Sequence, residues 1–363
     1  MIARRSGPPR VGDETHIGAV DGTGGRARPG PRAARTHRGW EGATTNDTQL
    51  RILTGWLNRN DRLSGLAFAL YRRGLHRLDP RRRLLGFDPA RYARFERWRR
   101  TTDGTARLGR FSMQLEVGRA HRAADYRYLP DTVGTEPSYE VEVVSYLRRH
   151  LREGMGFVDV GANSGYFSLW AASLVGERGR VDAFEPDEEN FARLNANIKL
   201  NSFPWLQAHP VALGRSRSAA PMYASDVDSG CHSFVPIPGH GSAQWTALDT
   251  LDGALPDLRA DGFKIDVEGL EEDVLAGAQE TLGRNPGAFV VFEYNKLVLD
   301  AGGRGFDGAF DLLRSWGWEV HRLLPDGTPG RAVRSHRDVG AIVANLVATR
   351  AGRAEHRPGA PQG

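Results

Sequence analysis

An open, doubly wound α/β sheet is the fold class this chain predicts, on three observations. The first is a strand, a glycine turn and a helix read from Phe157 to Gly176. Phe157, Val158 and Val160 form an apolar run, Gly161-Ala162-Asn163-Ser164-Gly165 turns the chain, and Phe167, Trp170 and Leu174 then share one helical face. The second is the apolar run Val181 to Phe184, which follows directly and ends in an acid, Glu185. The third is the alternating stretch Phe263 to Val267, which runs into Glu268-Gly269 and a helix with Leu270, Val274, Ala278 and Leu282 on one stripe. Strands alternating with helices in this way build a largely parallel sheet covered on both faces.

The first turn carries chemistry as well as shape. Gly161 and Gly165 let the backbone turn sharply and let a ligand approach main-chain N–H groups. Glu185 stands 20 residues beyond Gly165, the spacing at which an acid in such sheets reaches a ribose diol. Asp159, inside the turn, would repel a dinucleotide pyrophosphate and suits a positively charged ligand. The spacing is also Gly-x-x-x-Gly rather than Gly-x-Gly-x-x-Gly. Both departures favour S-adenosylmethionine, with its sulfonium and ammonium, over NAD. A βαβ unit that binds nothing at this point is the bland alternative.

Composition bounds the rest. A chain of 363 residues with net charge +5 has much of its basic excess before residue 125, which indicates a local basic segment on one large domain. Cys231 is the single cysteine, so an intrachain disulfide and a cysteine zinc cluster are excluded. No apolar run is long enough for a membrane span and the N-terminus lacks the apolar core of a signal peptide, so the cytoplasm is the expected location.

Taken in order, residues 1–46 are rich in Arg, Gly, Pro and Ala and are expected to form a disordered basic arm. Residues 47–130 read as a basic helical extension or lid. Leu50, Leu53, Trp56 and Leu57 share a stripe, and arginines interleave with Tyr92, Phe95 and Trp98. That mixture invites a nucleic-acid or membrane-surface reading, but no recognised binding motif accompanies it and a solvated helix face is preferred. Within the extension, FSMQLEV and YRYL are strand-like. Ser138 reads as the N-cap of a helix with Glu140 in its first turn and Tyr139, Val143, Leu147 and Leu151 on its face. Beyond Glu185, Asp187 caps a helix whose Phe191, Leu194 and Ile198 face the sheet, and Pro210 to Leu213 is the candidate third strand.

Gly214 to Pro256 lacks helical periodicity and is expected to form a hairpin over the pocket, followed by a return to the sheet. His209, His232, His240, Asp226 and Asp228 match no metal-ligand spacing, so no metal site is assigned. Lys264, Asp266 and Glu268 alternate with Phe263, Ile265 and Val267, which sets three charges on one side of a strand end. In a sheet buried on both faces this is costly unless they pair or serve a site. Glu271, Glu272 and Asp273 suit the N-terminal dipole of the helix that follows. Phe289 to Phe292 is a strand closed by Glu293. Phe306, Phe310 and Leu313 mark a helix, and Glu319 to Leu324 and Ala341 to Ala348 are two last strands around the turn at Asp326 to Gly330. Residues 351–363 are a polar tail. The acids Asp159, Glu185, Asp266 and Glu293 thus converge on one crevice at the carboxyl ends of the strands.

Three blocks, VDVGANSGYFS, FEPDEENFARLNANIKLN and DGFKIDVEGLEEDVLAGAQETL, resemble those of the FkbM-type S-adenosylmethionine-dependent methyltransferases over roughly residues 138–348. The resemblance implies a Rossmann-like, seven-stranded class I methyltransferase domain over residues 131–350. It also implies methyl transfer to a hydroxyl of a sugar, polyketide or other small-molecule or glycan acceptor. Asp159, Gly161, Ala162, Asn163, Gly165, Glu185 and Pro186 are the expected cofactor residues, with Ala212 beside the adenine. Asp266 is the first choice for a catalytic base, Lys264 its companion, and Glu268 and Glu293 the alternates. Nucleic acid is disfavoured as a partner. The rival readings are an NAD-dependent oxidoreductase and a noncatalytic arginine-rich binding module on a vestigial fold.

Overall fold

A computed structural model describes residues 104–115, 139–225, 232–236, 240–303 and 305–350. The expected arm, nearly all of the helical extension, the YRYL piece, Asp226, Asp228, Cys231 and the polar tail lie outside the described residues.

The FSMQ stretch forms one strand of a hairpin, as expected: β1 (Thr105–Leu108) pairs antiparallel with β2 (Phe111–Gln114). It docks on helix α3 (Glu188–Asn201), where Asn201 and Asn197 side chains accept the Ser112 and Gln114 N–H groups, each at 2.7 Å. Helix α1 (Val141–His150) then leads into β3 (Gly156–Val160), α2 (Tyr166–Val175) and β4 (Arg180–Phe184). α3 follows, capped by Asp187, whose carboxylate accepts the Asn190 N–H at 2.9 Å. The sheet continues through β5 (Leu206–His209), β9 (Gly262–Ile265), β10 (Phe289–Asn295), β11 (Trp318–Leu323), β12 (Pro329–Ala332) and β13 (Val343–Arg350).

Spatially the strands run β12-β11-β13-β10-β9-β3-β4-β5, with β5, β4, β3, β9 and β10 mutually parallel and β13 antiparallel to both its neighbours. Seven of the eight strands follow the doubly wound order expected, and β12 is an extra edge strand. Alternate residues feed two cores. Phe157, Val181, Phe289 and Val291 pack towards α1 and α2, whereas Val158, Val160, Phe263, Ile265 and Phe292 pack on the opposite face. There they meet helices α4 (Leu251–Ala254), α5 (Glu271–Ala276), α6 (Gln279–Arg284), α7 (Lys296–Ala301) and α8 (Asp307–Ser315).

Several elements differ from the sequence reading. The third strand is Leu206–His209, paired with Val181–Phe184; Pro210, which has no N–H to give a ladder, ends it. Ala212–Leu213 is instead β6 of a separate three-stranded sheet with β7 (Ser218–Ser225) and β8 (His240–Asp249). The hairpin β7–β8 is as expected, but β8 runs into α4 and not back into the main sheet. Helix α1 starts at Val141, not after Ser138: Glu140 is its N-cap at φ 42°, because its carboxylate is held by Asn345 Nδ2 at 3.3 Å. The helix after Gly269 is broken into α5 and α6. A Cβ on Gly277 would lie 2.0 Å from the Gly214 carbonyl, and Asp252 caps α6 by accepting the Glu280 and Thr281 N–H groups. The turn at Asp326 to Gly330 leads from β11 to β12. The chain then passes through α9 (His336–Val339) before β13 inserts between β11 and β10. Among the described residues, no helix is long and apolar enough to cross a membrane.

Candidate active site

The register places Val160, Phe184, Ile265 and Phe292 at one level, so the turns that follow β3, β4, β9 and β10 open at the same edge. The first two are joined by the Gly161 and Ala162 N–H groups, which both donate to the Phe184 carbonyl at 3.0 Å. Gly161 has φ 83°, and a Cβ there would lie 1.8 Å from the Asp266 carbonyl. Only glycine allows these two turns to touch.

Between them is a cavity of about 250 Å³. Gly161, Ala162, Asn163, Glu185, Pro186 and Ala212 line one side, and Lys264, Asp266, Glu268 and Glu293 line the other. Ten of the twelve sequence-predicted residues are therefore brought together. The other two stand behind the wall. Asp159 is 1% exposed and accepts the Ser168 hydroxyl at 2.6 Å, while its Oδ1 has no hydrogen-bond partner among the described residues. Gly165 starts α2, and the place of its missing Cβ is taken by Leu194 Cδ1, 2.7 Å away. His209 stays outside the lining, stacked on Phe184 and bonded to Asp182 at 2.9 Å.

On the first wall, Glu185 Oε2 accepts the Asn163 N–H at 2.8 Å and Oε1 accepts the Asp187 N–H at 2.9 Å. Burial outweighs these bonds and pushes its carboxyl up to about 7. On the second wall, Lys264 is 2% exposed, its Nζ 2.7 Å from Asp266 Oδ2 and 4.4 Å from the centre of the Phe167 ring. Burial alone would lower this ammonium, at an effective cost of roughly several kcal/mol for an uncompensated ion. Asp266, Asp159 and Glu140 reverse the sign and hold it above its ordinary range. Burial pushes Glu140 up to about 7 despite Lys264. Glu293 is driven well above the usual carboxylate range by burial and then by Asp266 and Glu268.

The turn from Asp266 to Gly269 is held from outside. Glu268 has φ 49°, unusual for a residue with a side chain, and Gly269 has φ 104°. The Glu271 carboxylate accepts the Val267 and Gly269 N–H groups at 3.2 Å, and burial raises it to about 7. Asn295 Nδ2 donates to Glu268 at 3.0 Å and more weakly to Glu293 at 3.5 Å. Oxygens of Asp266, Glu268 and Glu293 all lie within 4.8 Å of one another, a spacing that a hard divalent cation could share.

Sequence reasoning missed part of the lining. Tyr139, Met222 and Phe234 face the cavity, as does His232, whose Nε2 lies 3.8 Å from Asp187 Oδ2. His232 was weighed only as a metal ligand, Tyr139 was read only as a helix-face residue, and Met222 and Phe234 had only the hairpin expected over the pocket as a signal. Glu140 and Asn345, more than 200 positions apart, had none.

A doubly wound sheet whose order reverses between β3 and β9, with a glycine turn, a buried acid after the second strand and a carboxylate-rich far wall, defines the class I S-adenosylmethionine-dependent methyltransferases. A sequence model described as the methyltransferase FkbM domain matches residues 159–320. Over that stretch the chain resembles the FkbM-type methyltransferases, and S-adenosylmethionine is its cofactor. Among curated proteins, "Methyltransferase 1" of Beauveria bassiana (strain ARSEF 2860) is 29% identical over 198 residues, spanning 47% of this chain and 75% of that protein. A probable cobalt-precorrin-6B C(15)-methyltransferase (decarboxylating) of Sulfurisphaera tokodaii is 26% identical over 175 residues, spanning 42% and 86%. Among solved structures, a precorrin-6y C5,15-methyltransferase of Geobacter metallireducens GS-15 superposes with a TM-score of 0.36 at 14% identity, covering 63% of this chain and 96% of that one.

Proposed function

We propose that this methyltransferase acts on a hydroxyl oxygen of a sugar, a polyketide or another small-molecule or glycan acceptor, with Asp266 as the base. One observation carries the reading: the Asp266 carboxylate faces the cavity that the glycine turn and Glu185 also line, and is fixed at 2.7 Å by a buried lysine.

The donor set fits the cofactor. Glu185 offers acceptor oxygens to the ribose hydroxyls, Gly161, Ala162 and Asn163 give a backbone wall, and Pro186 and Ala212 flank the adenine side. Asp159 and Gly165 support the turn from behind. Acids that burial holds partly protonated, Glu185 and Glu293 among them, would regain their charge beside a cationic ligand, which suits this lining to one. Bound S-adenosylmethionine supplies an electrophilic methyl group on a positively charged sulfur. The chain's own work is to orient the acceptor and take its proton. As the acceptor oxygen takes the methyl group, the methyl–sulfur bond would break to leave a neutral sulfide, and the hydroxyl proton passes to Asp266, which Lys264 holds in place by a charge-assisted hydrogen bond. Glu268 and Glu293 are the alternates. Orientation contributes up to about 7–11 kcal/mol in favourable cases and a positioned base about 10²–10⁴-fold. The acidic wall supports an uncharged acceptor over a nucleic acid, whose phosphates it would repel.

Methyl-labelled S-adenosylmethionine incubated with sugars, polyketide alcohols, amines and RNA tests the proposal. Label is expected on oxygen of a small hydroxyl compound and lost in Asp266→Asn; label on RNA or an amine overturns it.

A further inference from the structure

Residues 232–236, between β7 and β8, return to the carboxyl edge of the sheet, and Ser233 is fully buried there. Its backbone is fixed to β7 on both sides, accepting the Tyr223 N–H at 2.8 Å and donating to the Tyr223 carbonyl at 3.1 Å. Its hydroxyl does two further things at once. It donates to the Glu268 carbonyl at 2.7 Å and accepts the Val235 N–H at 3.0 Å. A hydroxyl is a small group able to play both parts.

The contact is reinforced by packing. A Cβ on Gly269 would lie 3.4 Å from Val235 Cγ2, so the segment and the turn are in van der Waals reach. Phe234 and Val267 pack on the same small apolar cluster of Ala212, Leu248 and Leu270. Glu268 itself sits at φ 49°, a backbone state that persists only where its surroundings fix it. Glu271 fixes the N–H side of the turn and Ser233 fixes the carbonyl side.

We propose that Ser233 is a positioning residue that locks the cavity wall carrying Met222, His232 and Phe234 to the Asp266–Gly269 turn. That wall and the turn that bears the carboxylates then open and close as one unit. The proposal rests on the assignment of that turn to the chemical step, but its first test does not.

Hydrogen exchange on the full chain is that test. Ser233→Ala is expected to speed exchange about tenfold at Tyr223 and Val235 and, across the contact, at Val267 and Gly269, with the global melting temperature nearly unchanged. Faster exchange confined to Tyr223 and Val235 overturns the coupling. If the variant does not fold, the wild-type chain decides: one common opening rate for Val235, Val267 and Gly269 supports the unit, and separate rates overturn it. With an acceptor found by the labelled panel, Ser233→Ala is expected to lower kcat about tenfold at an unchanged KM for S-adenosylmethionine. A raised KM with normal kcat overturns the positioning role. Should no acceptor be methylated on oxygen, the function proposed above fails while the exchange result still stands.

Discussion

Lys264 and Asp266, two residues apart at one strand end, form a hydrogen-bonded ion pair at 2.7 Å whose lysine is 2% exposed. An ammonium so placed is tolerable because three acids, Asp266, Asp159 and Glu140, surround it, and two of them remain when Asp266 is neutralised. Asp266→Asn keeps the shape of the side chain but removes its ability to take a proton. Turnover is expected to fall by about two orders of magnitude or more with the fold and most cofactor affinity intact. Paired calorimetry and steady-state kinetics check this; lost cofactor binding with normal turnover at saturation would make Asp266 a cofactor ligand.

Glu185→Ala is expected to weaken S-adenosylmethionine binding by about 1–3 kcal/mol, the scale of charge-assisted hydrogen bonds. The two N–H groups it now satisfies, from Asn163 and Asp187, would turn to water, so the fold should survive. An unchanged dissociation constant in the folded variant would remove Glu185 from the ribose.

Stability should depend on pH in an unusual direction. Burial raises Glu185 and Glu271 from 4.5 to about 7 in the folded chain, so between those values the folded state holds more protons than the unfolded one. Their contribution is fully present below the lower value and is lost as pH rises through the higher, by up to about 3 kcal/mol per group. The ligand-free protein should therefore melt several degrees higher near pH 5 than near pH 8. Glu271→Gln should flatten that slope in a calorimetric scan. A melting temperature that rises over this range would contradict the burial of these carboxyls.

Chelation tests the carboxylate trio. Lys264 already pairs with Asp266, and burial drives the Glu293 carboxyl well above the usual range, so EDTA is expected to leave turnover within about twofold. Loss of turnover restored by Mg²⁺ would assign a cation to the three acids.

What was legible in the sequence was local. Asp187 caps α3 because a side-chain oxygen three residues before an open N–H is a short-range event. Lys264 and Asp266 stood out because charges in a doubly buried strand need a reason. β5 was misplaced because Leu206–His209 is an edge strand with one strongly buried residue, so the more apolar Val211 to Leu213 drew the reading. Glu140 was invisible as a site residue. Its inward turn depends on a left-handed backbone and on Asn345, and that pairing exists only after the last strand has entered the sheet.

That late entry has a consequence for how the protein is made. β13 is the last strand among the described residues yet lies between β10 and β11, and it brings Asn345 opposite Glu293. A ribosome that has released the chain only through β11 has delivered the glycine turn and the acids that face it, but leaves the flanks of β10 and β11 unpaired and exposed as sticky edges. Ligand-holding and chemistry should thus be withheld until residue 350 emerges. Nascent chains arrested before Val343 should engage chaperones or aggregate.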